Sequence, residues 1–227
     1  MLLFIHGMWG RAEFWRLFIN YFDNKGFKCR ALDLKEGMDL RKVSFADYVG
    51  KVKKIARKED ILIGHSMGGL IVQKIAEEKE IKGGVAICSA PPKGIKFPKK
   101  FLFFSLKYFP KTIAKKPFKP DFFISRKFFM NCLEEEEARI EYEKLEKDSA
   151  IVGYELAMNK IAVDEKKVKC PLLFIATKDD TTSPPLIVKK MAEKYNVDYK
   201  IYGGCHWIFK NWRTIADGIQ DFILSLY

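Results

Sequence analysis

The chain has 227 residues, of which 48% are hydrophobic and 31% are charged. This composition excludes disorder or a coiled coil for most of the chain and fits one globular domain, or a core with one subdomain. The 41 lysines and arginines against 29 acids give a formal net charge of +12, which suggests an anionic partner such as nucleic acid, a membrane surface or an acidic substrate.

Short apolar runs and helical patterns alternate along the chain. Each run is apolar on both faces, which is typical of a buried parallel strand. The six runs are Leu2 to Ile5, Cys29 to Leu34, Ile61 to Ile63, Val85 to Cys88, Leu172 to Ala176 and Tyr199 to Tyr202. The helical patterns are Ala12 to Asp23, Ala46 to Lys58, Gly69 to Lys79, Pro185 to Tyr195 and Trp212 to Leu224. This alternation predicts a parallel sheet with helices on both faces, whose ligands bind beyond the carboxyl ends of the strands.

One connection breaks the alternation. It runs from about Ala90 to Val168, whereas loops in such folds usually have about 2 to 6 residues. We therefore predict an inserted helical cap or lid subdomain at residues 91–168. The core then consists of residues 1–90 and 169–227.

The predicted cap has a basic half and an acidic half. Lys93 to Lys127 carries eleven lysines and arginines against Asp121 alone, and eleven aromatic side chains between Phe97 and Phe129 are interleaved with them. Glu134 to Asp148 is acidic with helical spacing, which predicts a solvated helix. The basic half admits three interpretations: it steers an anionic substrate, docks on an anionic membrane surface, or keeps a phenylalanine-rich insertion soluble. Binding of nucleic acid is not expected, because no nucleic-acid-binding fold accompanies these residues.

The chain start and the cysteines bear on location. Met1 to Gly7 has no basic region and no small-residue cleavage site, so it predicts a strand rather than a signal peptide, with a cytoplasmic location as the default. No membrane-spanning helix is expected, because the longest apolar candidate, Phe101 to Phe109, is interrupted by Lys107. The cysteines are five in number with no C-x-x-C pair, which argues against a disulfide framework or a zinc cluster and predicts reduced, mostly buried thiols: Cys29, Cys88, Cys132, Cys170 and Cys205.

A candidate nucleophile follows the third predicted strand. The sequence Gly64-His65-Ser66-Met67-Gly68 is a G-x-S-x-G pattern that leads directly into a helix. Such a sharp turn requires Ser66 to adopt a positive φ, which is tolerable only where the residues two before and two after it have no Cβ. Both positions are glycine. The turn also places the backbone after Ser66 at the positive end of a helix, where an oxyanion is stabilised.

A serine hydroxyl needs a base, and the chain has three histidines. His65 is adjacent to Ser66 on a tight turn, so its ring is expected to point away and pack. His6 ends the first strand and is expected to shape the following loop. His206 lies in a glycine-rich loop after the sixth strand, from which it can reach over the carboxyl edge of the sheet, and is therefore the expected base. The orienting acid is expected after the fifth strand, where two carboxylates, Asp179 and Asp180, are available.

These motifs resemble those of the α/β-hydrolases of the esterase and lipase type, in which the order Ser, Asp, His along the chain is usual. His6-Gly7-Met8-Trp9-Gly10 resembles the oxyanion loop H-G-x-x-G of the family. Gly64 to Gly69 resembles its nucleophile elbow, and Cys205-His206-Trp207 its histidine loop. Thr177 to Pro184 resembles its acid loop, G-x-x-D-x-x-V-P, but has Thr177 where glycine is usual and Ser183 where valine is usual. In the histidine loop, Cys205 stands where a glycine often precedes the histidine.

The resemblance implies an α/β-hydrolase fold with a six-stranded, mostly parallel sheet of order 2-1-3-4-5-6, lacking the two leading antiparallel strands of the family. Registering the acid loop on Pro184 implies Asp180, rather than Asp179, as the acid of a triad with Ser66 and His206. The implied oxyanion donors are the backbone N–H groups of Met8 and Met67. Trp9, in the oxyanion loop, and Trp207, in the histidine loop, are the expected substrate contacts.

The implied reaction is hydrolysis of a small-molecule ester of a hydrophobic acyl group through an acyl-enzyme, without a metal or an organic cofactor. The alternatives on the same triad are acyl thioester, C–C or amide hydrolysis, with an anionic substrate steered by the basic cap. A non-catalytic scaffold protein is disfavoured, because every element of the triad is present.

Overall fold

The computed structural model describes all residues, 1–227. Its six strands form one sheet in the order β2-β1-β3-β4-β5-β6, and all five pairings are parallel. The strands are β1 (Leu2–Ile5), β2 (Cys29–Leu32), β3 (Ile61–His65), β4 (Gly83–Ile87), β5 (Leu172–Thr177) and β6 (Tyr199–Tyr202). The predicted fold and strand order are confirmed.

Ten α-helices accompany the sheet. Those outside residues 91–168 are α1 (Arg16–Asp23), α2 (Phe45–Ile55), α3 (Met67–Glu78), α9 (Pro185–Tyr195) and α10 (Trp212–Leu224). Each was predicted from its pattern, although the first turn of the first predicted helix is a 3-10 helix, Ala12–Trp15. At the start of α2, the Ser44 hydroxyl accepts from the backbone of Asp47 and the Asp47 carboxylate accepts from the backbone of Ser44, which is a full capping box.

The sheet separates two apolar layers. Successive side chains of a strand point to opposite faces, and β1 illustrates this: Leu3 and Ile5 pack with α2, α3 and α9, whereas Leu2 and Phe4 pack with α1 and α10. Because both faces are covered by helices, the four inner strands, β1, β3, β4 and β5, are buried at every position. The edge strands β2 and β6 are only partly buried and carry Arg30 and Lys200. Only the strand ends and their loops are therefore open to a ligand.

The inserted segment, residues 91–168, contains helices and no strand. Its helices are α4 (Lys99–Ser105), α5 (Phe109–Ile113), α6 (Phe122–Phe128), α7 (Glu135–Glu143) and α8 (Ala150–Ala157). A third apolar cluster, which includes Phe118, Phe128 and Leu145, joins this segment to Cys205 and Trp207 of the loop after β6. The inserted segment is thus packed on the loop that carries His206. No helix in the chain is both long and apolar enough to cross a membrane.

The cysteine prediction is wrong for two residues. Cys132 of the inserted segment and Cys205 form a disulfide, with their Cα atoms 5.5 Å apart and a sequence separation of 73. The fold brings them together, and cysteine spacing alone does not reveal such a pair. The remaining cysteines are free thiols, of which Cys88 is fully buried.

Candidate active site

Ser66 lies in the turn between β3 and α3 with φ +56°. The glycines on either side of it have no room for a side chain. A Cβ on Gly68 would lie 2.2 Å from the carbonyl oxygen of Ile5, and a Cβ on Gly64 would lie 2.1 Å from the carbonyl oxygen of Gly68. The sequence therefore specifies the turn through the absence of side chains, and the turn presents the Ser66 hydroxyl at the carboxyl edge of the sheet.

Three predicted side chains from different loops form one hydrogen-bonded chain. His206 Nε2 is 2.9 Å from Ser66 Oγ, and His206 Nδ1 is 2.7 Å from Asp180 Oδ2. His206 is 4% exposed and Asp180 is 3% exposed. With Nδ1 donating to the carboxylate, Nε2 is left as the acceptor for the serine proton, which is the arrangement a general base requires.

The two neighbouring aspartates have different surroundings. The second oxygen of Asp180, Oδ1, accepts hydrogen bonds from the backbone N–H groups of Thr182 at 2.7 Å and Ser183 at 2.8 Å. Asp179 is exposed, and its hydrogen bonds run through its backbone, to Gly204 and Asn131. The structure thus brings Asp180, and not Asp179, to the imidazole.

The loop after β1 and the start of α3 present backbone donors beside Ser66. Met67 is the first residue of α3, so its N–H has no acceptor within the helix. The backbone N–H of Met8 donates to no protein acceptor. Both residues line the same cavity as Ser66. Two unused N–H groups beside a nucleophile are the components of an oxyanion hole.

The other two histidines act on these loops. His6 is buried; its Nδ1 lies 2.8 Å from the carbonyl oxygen of Gly7, and its Nε2 accepts from the backbone N–H of Leu34 at 3.0 Å. His65 Nε2 lies 2.9 Å from the carbonyl oxygen of His206. Burial, together with the nearby His206, lowers the pKa of His65 well below its ordinary value, so His65 is a neutral donor at pH 7.

Two departures from the family pattern make buried hydrogen bonds. Thr177 Oγ1 donates to the carbonyl oxygen of Cys205 at 2.9 Å, which ties the end of β5 to the residue before His206. Ser183 Oγ donates to the carbonyl oxygen of Ser89 at 2.9 Å, which ties the acid loop to the end of β4. These two hydrogen bonds fix the positions of the loops that carry Asp180 and His206.

A residue that sequence analysis did not single out also belongs to this region. Asp148, in the stretch predicted as a solvated helix, is fully buried beyond the end of α7. Its carboxylate accepts from the backbone N–H of Trp9, the hydroxyl of Tyr48 and the backbone N–H of Ser149. No local pattern distinguishes it from the exposed acids that precede it.

A cavity of about 220 Å³ opens beside Ser66. It is lined by 23 residues, 17 of them hydrophobic, and none of the 23 carries a charge. Most of the lining comes from the inserted segment, for example Phe97, Phe101 and Phe129. An apolar chain therefore fits beside the nucleophile with no charged contact.

The two tryptophans expected to contact substrate differ in position. Trp9 lines the cavity and packs against Phe129, with ring centroids 5.3 Å apart. Trp207 is 7% exposed, packs against Phe14 and Phe209, and does not line the cavity. The structure thus places one of the two, Trp9, beside Ser66.

Three potential metal ligands cluster at the site. Ligand atoms of Cys88, Asp180 and His206 lie within 4.8 Å of one another. Burial and the adjacent Asp180 raise the pKa of the Cys88 thiol well above its ordinary value, so it is protonated. Since thiolates rather than thiols bind metals, and both imidazole nitrogens are engaged by Ser66 and Asp180, this cluster suits proton transfer better than metal binding.

Residues 2–217 match the model of the alpha/beta hydrolase family. The chain therefore belongs to the alpha/beta hydrolase family. No curated protein sequence matches it significantly.

Solved structures with the same fold cover nearly the whole chain. A lipase-esterase related protein from Clostridium acetobutylicum is 23% identical with a TM-score of 0.73, covering 97% of this chain and 93% of that one. The monoacylglycerol lipase of Paleococcus ferrophilus is 20% identical with a TM-score of 0.72, covering 100% and 94%. A structure from a study of carboxylesterases of Nitrososphaera gargenis is 17% identical with a TM-score of 0.76, covering 99% and 90%. At these identities the likeness establishes the fold.

Proposed function

We propose that this protein is a serine hydrolase that cleaves carboxylic esters of a hydrophobic acyl group. The observation that carries the proposal is the hydrogen-bonded chain from Ser66 through His206 to Asp180 at the wall of an apolar cavity. The inserted segment acts as the cap that supplies most of this cavity.

In the proposed reaction, Ser66 Oγ attacks the ester carbonyl while His206 Nε2 accepts its proton. The negative charge that develops on the carbonyl oxygen is stabilised by the N–H groups of Met8 and Met67. His206 then protonates the departing alcohol, and Asp180 stabilises the imidazolium between these steps. Water, deprotonated by His206, attacks the acyl-enzyme and releases the acid and free Ser66.

The uncharged lining of the cavity supports a neutral acyl group. Desolvating a carboxylate or phosphate there would cost free energy that no lysine or arginine offsets. The names of the structural neighbours from Clostridium acetobutylicum, Paleococcus ferrophilus and Nitrososphaera gargenis all refer to ester or lipid hydrolysis. We extend that class to this chain as part of the proposal.

An anionic substrate steered by the basic residues is less well supported. None of the eleven cations between Lys93 and Lys127 lines the cavity. An acyl thioester with a large anionic carrier would therefore meet them only outside the acyl site. Thioester, C–C and amide bonds remain alternatives for the same three side chains.

The test is hydrolysis of p-nitrophenyl esters from acetate to palmitate by the wild type and by Ser66→Ala. We expect the activity of the wild type to be highest at an intermediate acyl chain length, which would report the length of chain that the cavity accommodates. We expect no turnover by Ser66→Ala. Labelling by a fluorophosphonate reports independently on the nucleophile. A wild type that neither hydrolyses any ester nor is labelled at Ser66 would contradict the proposal.

A further inference from the structure

The outer surface of α4, α5 and α6 exposes large apolar side chains. Twelve large hydrophobic residues of the chain are exposed, and five of them fall within residues 103–123. Their exposed fractions are 70% for Phe103, 65% for Leu106, 50% for Phe109, 71% for Ile113 and 61% for Phe123. Single exposed apolar residues are ordinary, but a cluster of this kind marks a surface that contacts something apolar.

This apolar surface is continuous with the cavity. Leu106 and Phe109 are exposed and also line the cavity beside Ser66. The ring of Phe104 contacts those of Phe103 and Phe123, with centroids 5.8 and 6.3 Å apart. A molecule held against this surface would therefore adjoin the opening that leads to the nucleophile.

Cations surround the apolar side chains. No acid occurs between Glu80 and Asp121, and of the eleven lysines and arginines from Lys93 to Lys127 only Lys107 has an ion-pair partner, which is Asp121. Exposed lysines lie on α4, on the 3-10 turn Leu106–Tyr108 that follows it and on the turn after α5: Lys99, Lys100, Lys107, Lys115 and Lys116. Most of the excess positive charge of the protein is thus unneutralised at this surface.

We propose that this surface docks on a membrane containing anionic phospholipids, and that the ester hydrolysed is a lipid that passes from the bilayer into the cavity between Leu106 and Phe109. The second part rests on the proposed function. Stable peripheral binding requires both inserted apolar side chains and attraction to anionic headgroups, and both are present here. Single-stranded nucleic acid fits less well, because two of the five exposed apolar side chains, Leu106 and Ile113, provide no ring on which a base can stack, whereas all five can insert between lipid chains.

The first test is cosedimentation with vesicles of phosphatidylcholine, alone or with one third phosphatidylglycerol. The wild type is expected to bind the anionic vesicles and to dissociate as salt is raised. A variant carrying Lys99→Gln, Lys100→Gln, Lys115→Gln and Lys116→Gln should bind about 600-fold more weakly, since each of the four lysines near an anionic surface contributes about fivefold. The matched control removes four exposed, unpaired lysines elsewhere and should bind as the wild type does: Lys54→Gln, Lys166→Gln, Lys169→Gln and Lys190→Gln.

The second test separates the apolar contribution. Phe103 and Ile113 are exposed and do not line the cavity. We expect Phe103→Ser with Ile113→Ser to weaken vesicle binding by about tenfold or more. Hydrolysis of a lipid ester in the vesicles should fall in parallel, while kcat/KM for a water-soluble p-nitrophenyl ester stays unchanged.

Three results would overturn the docking proposal: equal binding to neutral and anionic vesicles, an equal loss in the matched control, or tighter binding to an oligodeoxythymidine than to anionic vesicles. Each leaves hydrolysis of the soluble ester intact, so the proposed function would survive. Conversely, vesicle binding by a protein that is inert on soluble esters and unlabelled at Ser66 would support docking and overturn the proposed function.

Discussion

The carboxylate of Asp148 accepts a hydrogen bond from the backbone N–H of Trp9 over 3.0 Å, which joins the inserted segment to the loop after β1. The other carboxylate oxygen accepts from Tyr48 at 2.6 Å and from the Ser149 N–H at 2.7 Å. Asp148 has no cationic partner, so these donors alone stabilise its buried charge. Because Trp9 follows Met8 directly, Asp148 also positions the proposed oxyanion donor.

We expect Asp148→Asn to lower kcat by about tenfold or more, because loss of an oxyanion donor costs about 10²-fold to 10³-fold and here the donor is displaced rather than removed. KM should change little. The free energy of unfolding should fall by about 1 to 3 kcal/mol. Both oxygens of Asp148 accept hydrogen bonds, so the side-chain NH₂ group of the asparagine would face a buried donor in place of an acceptor. Tyr48→Phe is the control, because it removes a donor to the same carboxylate without touching Trp9. Equal kcat in folded Asp148→Asn and wild type would contradict a positioning role.

The proposed triad predicts unequal effects at two adjacent aspartates. Ser66→Ala and His206→Ala should each reduce kcat by about 10⁴-fold or more, and Asp180→Asn by less than these. Asp179→Asn should leave kcat nearly unchanged, because its side chain is exposed and away from His206. Steady-state kinetics on the best p-nitrophenyl ester measures all four variants. A larger loss in Asp179→Asn than in Asp180→Asn would show that Asp179 is the acid.

The sheet, its order and the loops that carry the site were predictable because they rest on local patterns. Apolar runs of strand length and the glycines around Ser66 encode their conformation within a few residues. The spacing to Pro184 fixes the register of the acid loop, and it therefore predicts which of the two aspartates lies beside His206, namely Asp180.

Contacts between distant segments were not predictable in this way. The Cys132–Cys205 disulfide and the burial of Asp148 depend on how the inserted segment packs, which no short window of sequence specifies. Thr177 and Ser183 stood out as departures from the family pattern, but their acceptors, the carbonyl oxygens of Cys205 and Ser89, lie on other loops. Local patterns therefore predict which side chains meet beside Ser66, whereas the contacts that position their loops depend on the packing of distant segments.

The nucleophile turn predicts opposite outcomes for two Gly→Ala substitutions. Gly68→Ala should prevent folding, because its Cβ would lie 2.2 Å from the backbone of Ile5 and neither strand nor helix can shift cheaply. Gly50→Ala, in the middle of α2 with no atom within 4 Å of the new Cβ, should raise the free energy of unfolding by about 0.5 to 1 kcal/mol. Soluble yield and chemical denaturation measure both. A well-folded Gly68→Ala would show that the turn is not as tight as described.

The disulfide predicts a thiol count and a loss of stability. Unreduced, denatured protein should titrate three thiols out of five cysteines. The double variant Cys132→Ser, Cys205→Ser should unfold with a free energy lower by about 4 kcal/mol, the chain-entropy expectation for a loop of this length. Cys170→Ser, at a half-buried free thiol, is the control and should cost less. Five titratable thiols in the unreduced protein would show that the bond does not form.

The buried His65 predicts a pH dependence of stability with a defined sign. Burial lowers its pKa in the folded protein well below 6.5, its ordinary value, which the unfolded chain keeps. Below pH 6.5 the unfolded state therefore binds a proton that the folded state does not, so the stabilisation by neutral His65 is complete above pH 6.5 and is lost as the pH falls.

The effect is best isolated as a difference between two proteins. His65→Gln keeps an N–H group for the carbonyl oxygen of His206 but cannot titrate. Denaturant unfolding from pH 8 to pH 5 should give a constant stability difference between wild type and variant above about pH 6.5. Below about pH 6.5, the free energy of unfolding of the wild type should fall relative to that of the variant by up to about 1.4 kcal/mol per pH unit. A difference that stays constant down to pH 5 would mean that His65 titrates in the folded protein as it does in the unfolded chain.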